Sequence, residues 1–165
     1  MQQRGETADP GNVPEQAPWK ELQVTPPAYP RERDLIEFEL TGQTANRFYI
    51  DGTSLTVGSD KVVRFVLVIR SAGGASTISF SGVHCDTGQW KDYAFGRNGG
   101  WEINSNAQWR RIRARSVNNY EDTLRSEFFC FGGIFSGGVQ GTAKDIVRTL
   151  KDPTPPDPRV PGRRL

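Results

Sequence analysis

All eleven prolines of this chain lie outside residues 31–152: Pro10, Pro14, Pro18, Pro26, Pro27 and Pro30 before it, Pro153, Pro155, Pro156, Pro158 and Pro161 after it. Proline removes a backbone donor and fixes φ, so a proline-free stretch this long between proline-rich ends reads as continuous hydrogen-bonded structure between irregular arms. At 165 residues there is room for one domain. The expected organisation is a flexible arm over 1–18, a single domain over 19–152 with its core at 31–152, and a disordered tail over 153–165. Trp19, Leu22, Val24 and Tyr29 give the later part of the arm apolar groups to lay against that core.

Within the core the apolar period is mostly two. Ile36, Phe38 and Leu40 alternate with Glu37 and Glu39, the pattern of a half-buried strand. Residues 46–50 and 53–57 flank Asp51-Gly52, which predicts a two-residue hairpin connection. Val62 to Ile69 is a nearly continuous β-branched run, as expected of a central strand buried on both faces, and Ile78, Phe80 and Gly82 alternating with Ser79 and Ser81 predict a second, half-exposed strand antiparallel to it. Beyond Cys85 the chain is aromatic and irregular, and one or two short strands are expected. Asn118 or Asn119 is placed to cap a helix through Phe129, with Tyr120, Leu124 and Phe128 on one face. A last helix is expected from Thr142 to Lys151, with Ile146, Val147 and Leu150 as its stripe and Pro153 as its stop. The expected fold class is α+β: an antiparallel meander with one or two C-terminal helices packed on one side.

Composition sets limits on function. A mean hydropathy of −0.59 and the absence of any run near 20 apolar residues exclude a helical membrane span from these residues. A net charge of +2 is too balanced for a dedicated polyanion binder. Met1 precedes a polar arm with no charged-then-apolar leader, a beginning that suits a cytosolic chain and equally a mature exported one. Cys85 and Cys130 are both expected near the core, as a bridge closing about 45 residues or as two buried thiols.

The chemistry-bearing residues are few. His84 is the single histidine, and with Asp86 two residues on it could form part of a triad, but no serine is marked as activated. One histidine and two cysteines leave no metal-ligand set, and neither a metal nor a cofactor is expected. Gly132 to Gly141 lacks the spacing of a phosphate loop and reads as a connector, with Ile134 and Phe135 as contact residues if it meets a partner. The most distinctive feature is electrostatic: no acidic residue occurs from Ile103 to Tyr120, while Arg110, Arg111, Arg113 and Arg115 follow Trp109. On a strand, Trp109, Arg111, Arg113 and Arg115 share one face, fit for a carboxylate, a phosphate or an anionic polymer. The competing reading is an exposed face whose arginines pair with nearby carboxylates.

The ordered set Phe48-Tyr49-Ile50-Asp51, Ser54-Leu55, Val57-Gly58, Asp60, Val62 to Phe65, Leu67-Val68, Arg70-Ser71, Gly74-Ala75, Gly82-Val83-x-Cys85 and Tyr93 to Arg97, followed by two tryptophans, resembles the cryptic neisserial protein 1-like family. The likeness spans roughly Trp19 to Phe131. It implies an exported or lipid-anchored protein of Gram-negative, largely betaproteobacterial cells, its signal peptide removed, and it supplies no catalytic residues to carry over. An oxidising periplasm then favours a Cys85–Cys130 disulfide. The expected function is a non-enzymatic envelope binding or accessory domain, periplasmic or anchored to the outer membrane in its precursor. It would meet an envelope protein or an anionic envelope component. One alternative is a small periplasmic hydrolase using carboxylates such as Asp51, Asp60 or Glu102. Another is a nucleic-acid-binding domain, which the charge and the export reading disfavour.

Overall fold

The computed structural model describes residues 18–40, 44–112, 119–131 and 138–153. The arm before 18 and the tail after 153 therefore lie outside the described residues. The chain builds an antiparallel sheet of eight strands among these residues: β1 (Leu35–Phe38), β2 (Arg47–Asp51), β3 (Thr56–Val57), β4 (Val62–Arg70), β5 (Ser76–His84), β6 (Gln89–Arg97), β7 (Gly100–Ile103) and β8 (Arg110–Arg111). The order across the sheet is β1-β2-β4-β5-β6-β7, with β3 beside β4 and β8 beside β6. Two helical segments follow. The first, α1 (Tyr120–Thr123), runs into a π-helical stretch over Leu124–Phe129, and the last is α2 (Ala143–Lys151).

The period of two in β4 separates two cores. Val63, Phe65 and Leu67 join Phe48, Val83, Trp90, Leu124, Phe128, Phe129, Ile146 and Leu150 in the larger cluster, which is where the helical segments cover the sheet. Val66 and Val68 join Phe80 and Ala94 on the opposite face, where Val24 of the arm packs against them. Both faces of β4 are thus covered, which is why Val62 to Val68 is buried without a break. Val66 has no exposed surface, and Val66→Asp is expected to abolish folding by burying a charge with no partner. A circular-dichroism melt checks this; a cooperative transition near that of the native protein would contradict the strand's position.

Three sequence expectations change in detail. The Asp51-Gly52 hairpin does not form, because β2 pairs with β1 and β4 while β3 pairs with β4. The Asp51 carboxylate instead accepts from Thr53 N, Thr53 Oγ1 and Ser54 Oγ, a local side-chain turn that swings the chain out of the ladder. The aromatic stretch after Cys85 is more regular than expected, since β6 is nine residues long and carries β7 and β8 on one side. The predicted helix through Phe129 widens after one turn into π-helix, closed by Cys130 N donating to Arg125 O, which sends both Phe128 and Phe129 into the core. Cys85 and Cys130 form a disulfide with their Cα atoms 5.5 Å apart, tying the end of β5 to the end of that helix. At α2, Thr142 and Asp145 complete a reciprocal capping box.

Candidate functional site

An arginine at the middle of an apolar strand is the anomaly from which the site is built. Arg64 lies on β4 on the face opposite the helices, and its side chain is 2 % exposed. A buried guanidinium requires a partner. Asp60, one turn of chain earlier, accepts from Arg64 Nη1 at 3.1 Å and from Nη2 at 2.6 Å. Gly58 clears the space: a Cβ there would collide with the Asp60 carboxylate and lie 2.9 Å from Arg64 Nη1. The third guanidinium contact runs sideways, Arg64 Nε donating to Tyr93 Oη at 3.2 Å across β5. That reach is possible because Gly82, in register with Arg64 on one side and Lys91 on the other, puts no side chain between them. A bulge where β5 meets β6 adds Tyr93 as an extra residue and turns its ring onto this face.

Residues 19–22 of the arm lie over these groups as a strap. Glu21 is its centre. Its carboxylate accepts from Tyr93 Oη at 2.6 Å, from Lys91 Nζ at 2.9 and 3.1 Å, and from Trp109 Nε1 at 3.2 Å. Leu22 N donates to Asp60 Oδ2 at 2.9 Å, and Trp19 Nε1 donates to Asp60 O at 2.7 Å. The Trp19 ring stacks on His84 with centroids 4.4 Å apart, and Trp109 closes the third side of this aromatic box. Further along, Trp101 Nε1 donates to Pro27 O and Tyr29 packs edge-on against Trp101. Side-chain anchors hold the strap, for no residue from 18 to 31 joins a helix or strand.

The electrostatics follow from this geometry. Burial pushes the Glu21 carboxyl up, but the bonds from Tyr93, Lys91 and Trp109 outweigh it and hold it below the ordinary carboxylate range. Asp60 behaves alike: burial opposes ionisation, and Arg64 together with the Leu22 amide overrides it. The Tyr93 hydroxyl is driven well above its usual value, by burial and then by its bond to Glu21, so it stays a donor. His84 is 4 % exposed. Its Nδ1 lies 3.1 Å from Thr87 Oγ1, while its Nε2 is buried with no hydrogen-bond partner among the described residues. Burial lowers its pKa, more than Asp86, Asp60 and Glu21 raise it, with Arg64 adding to the lowering.

A folded-state pKa below the unfolded value of about 6.5 means the unfolded chain binds the proton first, so stability falls as pH drops from 7 toward and through the folded pKa. Urea denaturation at pH 7 and pH 5 is expected to show the native chain losing stability over that interval, and His84→Gln losing less. Equal losses in the two proteins would remove His84 as the cause.

The residues singled out by sequence are distributed as follows. Trp109 is part of this site through Glu21. Arg110 faces the helices and pairs with Glu121, with Asp92 at 3.8 Å. Ile112 is buried in the larger cluster. Arg111 is exposed and has no ion-pair partner among the described residues. Arg113, Arg115, Ile134 and Phe135 lie outside the described residues. Asp86 sits 4.0 Å from Lys61 and makes no hydrogen bond with His84 among the described residues. The three carboxylates considered for acid–base chemistry are engaged separately: Asp51 in its turn, Asp60 on Arg64, and Glu102 on Arg97. Lys91, Tyr93, Glu21 and Arg64 were missed by sequence reasoning. The available signal was a lone arginine in an apolar run, four residues after an aspartate.

Fold and site together define an α+β domain whose charged, aromatic sheet face is closed by its own N-terminal segment. A sequence model of the CNP1-like family matches residues 14–151, most of the chain, and the protein belongs to that family. Searches of curated proteins and of solved structures returned no match.

Proposed function

We propose that this chain is a non-enzymatic binding or accessory domain of the Gram-negative cell envelope, periplasmic or held at the outer membrane through a lipid anchor on its precursor. The observation that carries the reading is the buried Cys85–Cys130 disulfide, since bridges of this structural kind persist in oxidising compartments and are rare in the cytosol. Its binding surface is the side of the sheet around Trp109 and Arg111, and its partner is an envelope protein or an anionic envelope component. Two further observations support binding over catalysis. Among the described residues, each carboxylate that departs from its ordinary range, Glu21, Glu32, Asp60 and Asp145, departs downward, whereas a general acid needs the opposite. Two surface depressions among the described residues, of about 660 and 530 Å³, lie at the ends of β1 and β2, away from the aromatic box.

The test is thiol alkylation in intact cells before lysis, with the mass of the intact protein read before and after reduction. The expected result is that neither cysteine is modified until the reductant is added. Two freely alkylated thiols would contradict an envelope location.

A further inference from the structure

We infer that the sheet face beneath residues 19–22 is a carboxylate-recognition site, filled in this state by the chain's own Glu21, whose ligand in trans is an extended peptide segment of a partner protein bearing an aromatic residue two positions before a carboxylate. This deepens the binding reading above and rests on it. The first argument is charge. Arg64 and Lys91 face Asp60 and Glu21, and only Asp60 and Arg64 satisfy each other without the strap. When the strap leaves, the Lys91 ammonium and the Tyr93 hydroxyl both lose their acceptor and Trp109 Nε1 loses its own. Three convergent donors, one of them a cation, suit an anion, and Glu21 shows that a single carboxylate meets all three.

The second argument is shape. Residues i and i+2 of an extended chain share a side, which is how Trp19 enters the box over His84 while Glu21 meets Lys91 and Tyr93. The strap competes in cis at high effective concentration, so the native chain takes up the ligand weakly and a chain with a weakened strap takes it up well.

The test uses the full chain and a fluorescein-labelled synthetic peptide with the sequence of residues 18–24, alongside the same peptide with glutamine in place of its glutamate. Glu21→Gln keeps the shape of the strap and removes its charge. By fluorescence anisotropy, the Glu21→Gln chain is expected to bind the glutamate peptide at least tenfold more tightly than the native chain does, and at least tenfold more tightly than it binds the glutamine peptide. Equal affinity for the two peptides, or no binding by a variant that melts cooperatively, would overturn the assignment. So would a concentration-dependent dimer of the variant by light scattering without peptide uptake, which would make a second copy's strap the occupant. Should Glu21→Gln fail to fold, titration of the native chain with millimolar unlabelled peptide decides: displacement of the Trp19 and Trp109 indole N–H resonances supports the site, and unchanged resonances reject it. These readings use purified protein, so they fail or succeed independently of the compartment that alkylation reports.

Discussion

Arg64→Met is expected to cost about 3–5 kcal/mol of stability, the usual penalty for breaking a buried ion pair from one side. The loss comes chiefly from what stays behind. Asp60, its side chain 1 % exposed, would keep its charge with only the Leu22 and Val62 amides to receive it. The Tyr93 hydroxyl would also lose the donor that orients it toward Glu21. Because domains are stable by only about 5–15 kcal/mol, a loss of this size leaves a marginal protein. The double variant Asp60→Asn with Arg64→Met removes both charges and is expected to recover part of the loss. Urea denaturation of the single and double variants measures the difference; an Arg64→Met midpoint equal to the native one would show that the pair does not hold the strap face together.

Replacing both cysteines by alanine is expected to cost about 4 kcal/mol, the chain-entropy value for a closed loop of 45 residues. The bridge lies between two layers. Cys85 continues β5, Cys130 follows the π-helical stretch, and both side chains are in the larger core cluster with Phe129 and Trp90. Its removal frees the helical layer in the unfolded ensemble and leaves alanines where packed sulfur had been, so the cavity adds to the entropic loss. Comparing denaturation midpoints of the oxidised native chain and the double alanine variant reads the effect. A shift below about 1 kcal/mol would mean that packing alone docks the helices.

The layout of the sheet was legible where hydrophobic period and turn chemistry agreed. Val62 to Ile69 announced a strand covered on both sides, and Ile146, Val147 and Leu150 before Pro153 announced the last helix. The Asp51-Gly52 turn misled because the local signal for a hairpin is the same as for a turn in which the aspartate bonds its own neighbours, and only long-range pairing of β2 with β1 decides between them. The strap site was illegible for a related reason. Glu21 lies 70 and 72 residues from Lys91 and Tyr93, and Arg64 lies 29 from Tyr93. Those partners share a face through strand register, a glycine gap and a bulge, none of which local composition records. Trp109 could be singled out because it begins a local charge asymmetry, yet the carboxylate it serves sits in the arm.

Glu21 closes the sheet face by accepting from Trp109, Lys91 and Tyr93. All four tryptophan indoles donate a hydrogen bond: Trp19 to Asp60 O, Trp90 to Asp92, Trp101 to Pro27 O and Trp109 to Glu21. Their N–H resonances in a proton–nitrogen correlation spectrum therefore report on each contact separately. Glu21→Gln is expected to displace the Trp109 indole resonance strongly and to leave that of Trp90, on the opposite face, in place. A Trp109 resonance unmoved by the substitution would contradict the Glu21–Trp109 contact as the closure of this face.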